Sequence, residues 1–436
     1  MGSWASVRCV ELGVELPYGR GHVTLDVDLP NLTVVSSKPR PPLSDPLSSL
    51  AESLRRPLSS PPLSDLCRGA ESVLVIVPDK TRAFPFRLVL PEVLRAVKSA
   101  SPQASIRVLV ATGLHRPHRS EELEELVGRE VMSEYEVVSH DAEDEGLLAD
   151  TGRRTSRGTP VIVNRGVLES DLVVALGLIE PHFFAGYSGG RKSLLPGVAG
   201  RDAILANHGF RMIGHPKARY GCLSGNPIHE DMVEFMCMTR LDFIVNVTLN
   251  GRKEVTGVFC GDPVEAHLAG VRFLESYVRV PVRGRADVVI VTNGGYPLDR
   301  DLYQAVKGIA TGELVVREGG AIVMLAECVD GLGGHEEFHE LFVGARSPEE
   351  VLERIRRREP VKDQWQAQIL ARVLAGARVV VVTGMSHSVV EDMLMTPASS
   401  VEEALEEAAR LAGCDLRSAR VVAVPEGPYV IPELAG

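Results

Sequence analysis

The chain has 436 residues, 44% of them apolar and 24% charged, with a formal net charge of -11. That length exceeds one compact core, so two domains are expected, and the acidic balance argues against a general nucleic-acid binder. No apolar run approaches the ~20 residues of a membrane-spanning helix, and the N-terminus lacks a charged-then-apolar signal pattern, so no membrane partner is expected. The seven cysteines (Cys9, Cys67, Cys222, Cys237, Cys260, Cys328, Cys414) form no C-x-x-C pair. Such a set fits the reduced thiols of a cytoplasmic protein better than a disulfide framework.

In chain order, residues 36–65 come first as a Pro/Ser-rich, irregular lead-in, with one short helix expected over 47–55. Short β-branched runs follow, each ending in small or polar residues: 73–77 into PDKTR, 107–111 into TGLHRPH, and 172–179 into EPH. Further on, 288–292 runs into NGGYP, 321–326 into ECVDG, and 379–383 into GMSH. Continuously apolar strands of this kind belong to parallel sheets covered on both faces. Amphipathic helical stretches at 88–99, 120–127, 348–357 and 400–412 alternate with them, which makes the fold class α/β with mostly parallel sheets. The stretch 280–286 reads as a crossover. The expected division is therefore 1–280 for a first α/β domain and 281–417 for a second, with a last strand at 420–424 returning 418–436 to the first.

Ligands of open α/β sheets sit off the carboxyl ends of the strands, and the chemistry-bearing residues cluster there. In PDKTR, Asp79 and Thr81 suit hydrogen bonds to a ribose or phosphate, and Arg82 suits a two-bonded grip on a carboxylate. His115, in the next strand-end loop, is of the residue type that can serve as a general base. The segment 181–208, PHFFAGYSGGRKSLLPGVAGRDAILANH, is dense in glycine, which favours close backbone approach to a ligand. It carries His182, Lys192 and His208. It is no nucleotide-triphosphate loop: Gly does not directly precede Lys192, and Pro196 stops any helix launched from it. Lys192 is placed as a covalent or electrostatic anchor for a phosphorylated cofactor. Read alone, an ordinary surface lysine is the weaker alternative for Lys192, whereas His208 reads first as an ordinary satisfied or exposed histidine.

In NGGYPLDRDLYQAVKG, Gln304 and Lys307 are spaced i, i+3 and share a helix face, an amide and an ammonium suited to a small hydroxy acid. HEEFH offers the zinc pattern His335, Glu336, His339, and hence an alternative reading as a zinc-dependent hydrolase. It follows DGLGG directly, so His335 falls at the ragged start of any helix. His387, in GMSHSV, has no evident role.

Together DKTR, ATGLHRPH, PHFFAGYSGGRK, Asn207–His208 and YPLDRDLYQAVKG resemble, in order and spacing, the nickel-pincer-nucleotide lactate racemase family across nearly the whole chain. The resemblance implies two α/β domains with the active site in the cleft between them. It implies a racemase or epimerase of a small, lactate-like 2-hydroxy acid that works by removing and returning hydride. The implied cofactor is a nickel-pincer nucleotide (Ni(II) pyridinium-3,5-bisthiocarboxylic acid mononucleotide), supplied by dedicated biosynthetic enzymes and attached covalently at Lys192. By the same resemblance His208 completes the nickel coordination, and His115 and His182 are the acid/base pair. Asp79, Lys80, Thr81 and Arg82 lie along the cofactor, and Arg82, Gln304 and Lys307 orient substrate. The HEEFH segment and the Pro/Ser lead-in map to no family role.

Overall fold

The structure, a computed structural model, describes residues 13–435; Cys9 lies outside them. The chain divides into two compact units, one of Pro39–Tyr277 and one formed by the residues before Pro39 together with those from Val278 onward.

The Pro39–Tyr277 unit is built on a 6-stranded sheet in the order Val255–Gly261, Phe243–Leu249, Leu172–Leu178, Ser72–Pro78, Ser105–Ala111, Glu136–Ser139. All neighbours are parallel except Phe243–Leu249 with Val255–Gly261. Val73 to Val77 and Leu172 to Ala175 have essentially no exposed surface, as strands covered on both faces must. The helix Phe86–Ala100 lays Val89, Leu90, Val93, Leu94 and Val97 on one face of this sheet, at the spacing that puts residues on one helical stripe. The lead-in supplies the helix Pro46–Arg55, started by the Asp45 side chain accepting from Ser48 N, with Leu50 and Leu54 buried. An antiparallel pair, Leu148–Arg154 with Pro160–Asn164, stands apart from the main sheet.

The second unit carries a 6-stranded, all-parallel sheet ordered Thr396–Ala398, Arg378–Val382, Val316–Leu325, Ala286–Thr292, Val421–Val424, Leu32–Val34. The helix Val401–Ala412 buries Ala404, Leu405, Ala408 and Ala412 on it; Ser400 caps one end and Gly413, at φ 64, closes the other.

Three features differ from the expected division. Residues 13–38, expected in the first domain, belong to the second unit, where Leu32–Val34 forms an edge of the sheet. The strand Val421–Val424 pairs with Ala286–Thr292 and Leu32–Val34 rather than returning to the first sheet. The expected crossover at 280–286 is partly a strand, Arg279–Arg283, paired in parallel with Ile431–Ala435. Both segments are short and β-branched, so their composition specifies a strand but not its neighbour. Among the described residues no helix is long and apolar enough to cross a membrane.

Candidate active site

In the Pro39–Tyr277 unit, Ser72–Pro78 and Leu172–Leu178 are neighbours, and the chain proceeds from them in opposite directions across the sheet. This is a topological switch point, beyond whose strand ends such sheets hold ligands. Asp79 to Arg82 leave the first of these strands and His182 the second, while His115 leaves the adjoining Ser105–Ala111.

Asp79 Oδ2 lies 2.6 Å from His115 Nδ1, and Asp79 Oδ1 accepts from Thr81 Oγ1 at 2.5 Å and from Thr81 N at 3.2 Å. Asp79 is buried, whereas about half of the His115 side chain is exposed. Burial acts to raise the Asp79 carboxyl. The hydrogen bond and charge of His115, the Thr81 hydroxyl and the Arg82 charge outweigh it and hold the group below its ordinary pKa. An ionised Asp79 fixes the ring proton of His115 on Nδ1 and leaves Nε2 as the acceptor. Asp79 and Thr81, expected along a ribose or phosphate, are thus engaged with each other and with His115. Lys80 Nζ donates to Glu122 Oε1 at 2.6 Å, and Arg116 grips the same carboxylate through both terminal nitrogens. Arg82 Nη1 donates to Glu180 Oε1 at 2.5 Å.

His182 is buried, and its Nδ1 faces the backbone N–H groups of Ala185 at 3.3 Å and Phe184 at 3.5 Å. Facing donors, Nδ1 acts as the acceptor, so the proton of the neutral ring sits on Nε2. The Phe184 ring is edge-on to His182 at 4.5 Å and to His208 at 5.0 Å, and Lys192 Nζ lies over it at 5.6 Å. One phenyl ring therefore adjoins three of the residues singled out from the sequence.

Lys192 sits in a single 3-10 turn, Gly190–Ser193, entered through Gly189 at φ 80 and Gly190 at φ 54. A Cβ on Gly189 would come within 2.6 Å of Asn246 Oδ1, so the loop lies against the strand Phe243–Leu249 with no room for a side chain. Gly190 N donates to the same Asn246 oxygen at 2.9 Å. Behind Lys192, Arg191 is wholly buried; its Nη2 donates to the carbonyls of Ala185 at 2.9 Å and Tyr187 at 2.8 Å, and its Nη1 lies 2.9 Å from His267 Nε2. Burial lowers the Arg191 pKa to about 9, which still leaves it charged at neutral pH. Arg191 and Asn246 escape a reading by spacing, because their partners lie on distant elements.

His208 ends the helix Arg201–Asn207 and is buried. Burial, with the Lys192 charge second, holds its imidazolium pKa well below the ordinary range, so the ring is neutral. Its neighbour Asn207 donates through Nδ2 to Asp231 Oδ2 at 2.7 Å. Asp231 has no exposed surface, and it also accepts from Thr155 Oγ1 at 2.5 Å and Thr159 Oγ1 at 2.7 Å. Nothing in the spacing of the sequence marks Asp231 as the carboxylate that holds this pair.

In the other unit, Asp301 caps the helix Leu302–Gly312, and within it Lys307 Nζ donates to Gln304 Oε1 at 2.6 Å. The expected shared face is therefore a direct contact. The zinc alternative meets a different geometry. His335 precedes the helix Glu336–Glu340 as its N-cap, and its Nδ1 lies 2.8 Å from Asp363 Oδ2. That hydrogen bond, the largest influence on it, raises the His335 pKa. Among the described residues no group of three or more His, Cys, Asp or Glu is arranged to hold a metal ion. His387 is exposed at the start of the helix His387–Asp392.

Comparison with known proteins agrees with this architecture over both units. Residues 18–221 match the model of the lactate racemase N-terminal domain, and 282–431 that of the lactate racemase C-terminal domain. A lactate racemase of Thermoanaerobacterium thermosaccharolyticum is 37% identical over 425 residues, 96% of this chain and 98% of that protein. One of Lactiplantibacillus plantarum is 38% identical over 427 residues, 96% of this chain and 99% of that one. The solved lactate racemase apoprotein of T. thermosaccharolyticum superposes with a TM-score of 0.91 at 35% identity, covering 97% of this chain and all of that one. A Thermotoga maritima protein at 18% identity and TM-score 0.68, covering 91% of this chain and all of that one, shares the fold alone. This is a two-domain α/β isomerase. The chain belongs to the lactate racemase family.

Proposed function

We propose that the protein racemises lactate or a closely related 2-hydroxy acid, with Lys192 and His208 holding a nickel-pincer pyridinium mononucleotide and His115 and His182 moving the hydroxyl proton. The observation that carries this reading is the grouping of Lys192, His182 and His208 around Phe184. The residues fit the group. A metal ligand must be a neutral imidazole, and burial keeps His208 neutral. A metal held mainly by sulfur needs only one such nitrogen from the protein. Lys192 presents an amine on a loop that Asn246 and Arg191 brace.

The α-hydrogen of a 2-hydroxy acid is too weakly acidic for a side chain to remove as a proton at useful rates. When bound, the cofactor supplies the electrophile that accepts this hydrogen with its electron pair and later returns it. The chain's own residues handle the oxygen. His115, its Nδ1 committed to Asp79, offers Nε2 to take the hydroxyl proton as the 2-keto acid forms. His182 offers Nε2–H to the keto oxygen. Inversion needs the planar keto acid to be reduced on its other face, and the two imidazoles then exchange roles. Arg82, Gln304 and Lys307 orient the carboxylate, an anion that suits a guanidinium and an ammonium. Biosynthetic enzymes must supply the cofactor, and a cytoplasmic setting agrees with the free thiols of the six described cysteines.

The test is intact-protein mass and metal content. Protein produced together with the cofactor-building enzymes should carry nickel and an added mass that maps to Lys192, and Lys192→Ala should lack the added mass. Fully active protein with neither nickel nor a modified lysine would overturn the proposal.

A further inference from the structure

Resting on the reading above, we propose that Asp363 and His335 are positioning residues that hold the first turn of the helix Leu302–Gly312, and with it Gln304 and Lys307, in the geometry that orients substrate. Asp363 is buried and adopts a left-handed backbone at φ 58, a conformation that non-glycine residues keep only where their surroundings impose it. Its Oδ2 accepts from both the backbone N and Nδ1 of His335, each at 2.8 Å. Its Oδ1 accepts from Tyr303 Oη at 2.9 Å. Tyr303 is the residue next to Gln304, so one carboxylate ties the 331–335 segment to the helix that carries the orienting pair.

The rest of that first turn is fastened to the same segment. Leu302 N donates to Gly331 O at 3.0 Å and Tyr303 N to Leu332 O at 2.9 Å, while Gln304 N is taken by Asp301 Oδ1 at 2.8 Å. From the helix Gln364–Gly376, Gln366 Nε2 donates to Tyr303 O at 2.5 Å. There is no slack between these pieces. A Cβ on Gly334 would come within 2.8 Å of the Tyr303 ring and 3.0 Å of Asp363 Oδ2, and one on Gly333 within 2.4 Å of Asp301. Phe338 meets the Tyr303 ring edge-on at 5.6 Å. The HEEFH stretch thereby acquires a purpose other than metal binding: its first histidine engages Asp363, and its phenylalanine packs on Tyr303.

The pair acts through Gln304 and Lys307 and not on the reacting atoms. Breaking it should therefore weaken substrate binding and leave the chemical step and cofactor loading largely intact. In cofactor-loaded protein, His335→Ala should raise KM for the 2-hydroxy acid about 10-fold with kcat lowered less than about 3-fold, a loss of binding rather than of transition-state stabilisation. Nickel content and the Lys192 mass should be those of the wild type. Backbone amide exchange at Leu302 and Tyr303 should quicken. His335→Asn, whose amide can still donate to Asp363, should recover most of the KM. If His335→Ala does not fold, His335→Gln is measured in its place.

Unchanged KM and unchanged amide exchange in a variant whose wild-type parent racemises the substrate would overturn this proposal and leave the racemase reading standing. Equal losses in kcat and cofactor loading would overturn it too, by showing a general structural role. A loaded wild type that turns over no 2-hydroxy acid would overturn the racemase reading and this inference with it.

Discussion

Asp79→Asn is expected to lower kcat by about 10²–10⁴-fold, the range that a positioned acid or base contributes, with little change in KM. The amide has the shape of the carboxylate, so the fold is preserved and the effect is one of proton placement. Thr81 Oγ1 and N both donate to Asp79 Oδ1, which holds the amide oxygen of the variant toward Thr81. Its NH2 must then face His115 Nδ1, where the carboxylate Oδ2 stood at 2.6 Å. Two donors cannot face each other, so the ring proton moves to Nε2, and the nitrogen that should accept the substrate proton already carries one. Steady-state kinetics on nickel-loaded protein measure this. A kcat near that of the wild type would show that His115 does not work as a base through Nε2.

Asp231→Leu should destabilise its unit by at least about 3 kcal/mol. The buried hydroxyls of Thr155 and Thr159 lose their acceptor together, and the Asn207 amide keeps only its 3.3 Å bond to Ile228 O. Each stranded donor costs about 1–3 kcal/mol. Water cannot easily replace the lost acceptor, because Asp231 has no exposed surface. Asp231→Asn keeps one acceptor oxygen and should lose less. Because Asn207 adjoins His208, nickel content after cofactor loading should fall in step with stability. Urea denaturation followed by circular dichroism gives the first quantity and metal analysis the second. An Asp231→Leu protein as stable as wild type would mean that the hydroxyls and the amide find other partners.

The sheets were legible because their strands are apolar and β-branched from end to end. Runs such as 73–77 and 379–383 admit few other readings, and Ser72–Pro78 and Arg378–Val382 follow them closely. The helix Pro46–Arg55 starts one residue before the expected 47–55, where the Asp45 cap and the first-turn proline begin it. Strand partners were not legible. Nothing in the residues of Val421–Val424 distinguishes a place beside Ala286–Thr292 from one in the other sheet. The polar strand Leu148–Arg154 lacks the alternation that marks a strand, and its partner Pro160–Asn164 has only the three apolar residues Val161 to Val163 to show for itself.

At the site, residues that follow a strand directly, from Asp79 to Arg82 and His115, could be placed from the strand rule alone. Gln304 and Lys307 came from helical spacing. The supporting groups could not be found this way. Arg191, Asn246, Asp231 and Glu180 act through partners up to about a hundred positions away in the chain, as with Arg82 and Glu180 at a separation of 98. HEEFH shows the converse, a motif complete in letters whose first histidine lies outside the helix and faces a carboxylate instead of a metal.

The proposed racemisation turns on how the α-hydrogen travels. Racemisation of 2-deuterated lactate by the loaded protein in ordinary water tests this directly, with the label at carbon 2 followed in both enantiomers by mass spectrometry. Transfer as hydride to a bound acceptor, and return from it, predicts that the deuterium remains at carbon 2 of the inverted product. Exchange of the label for solvent hydrogen at the rate of inversion would contradict it, since only removal as a proton places that hydrogen on groups open to water.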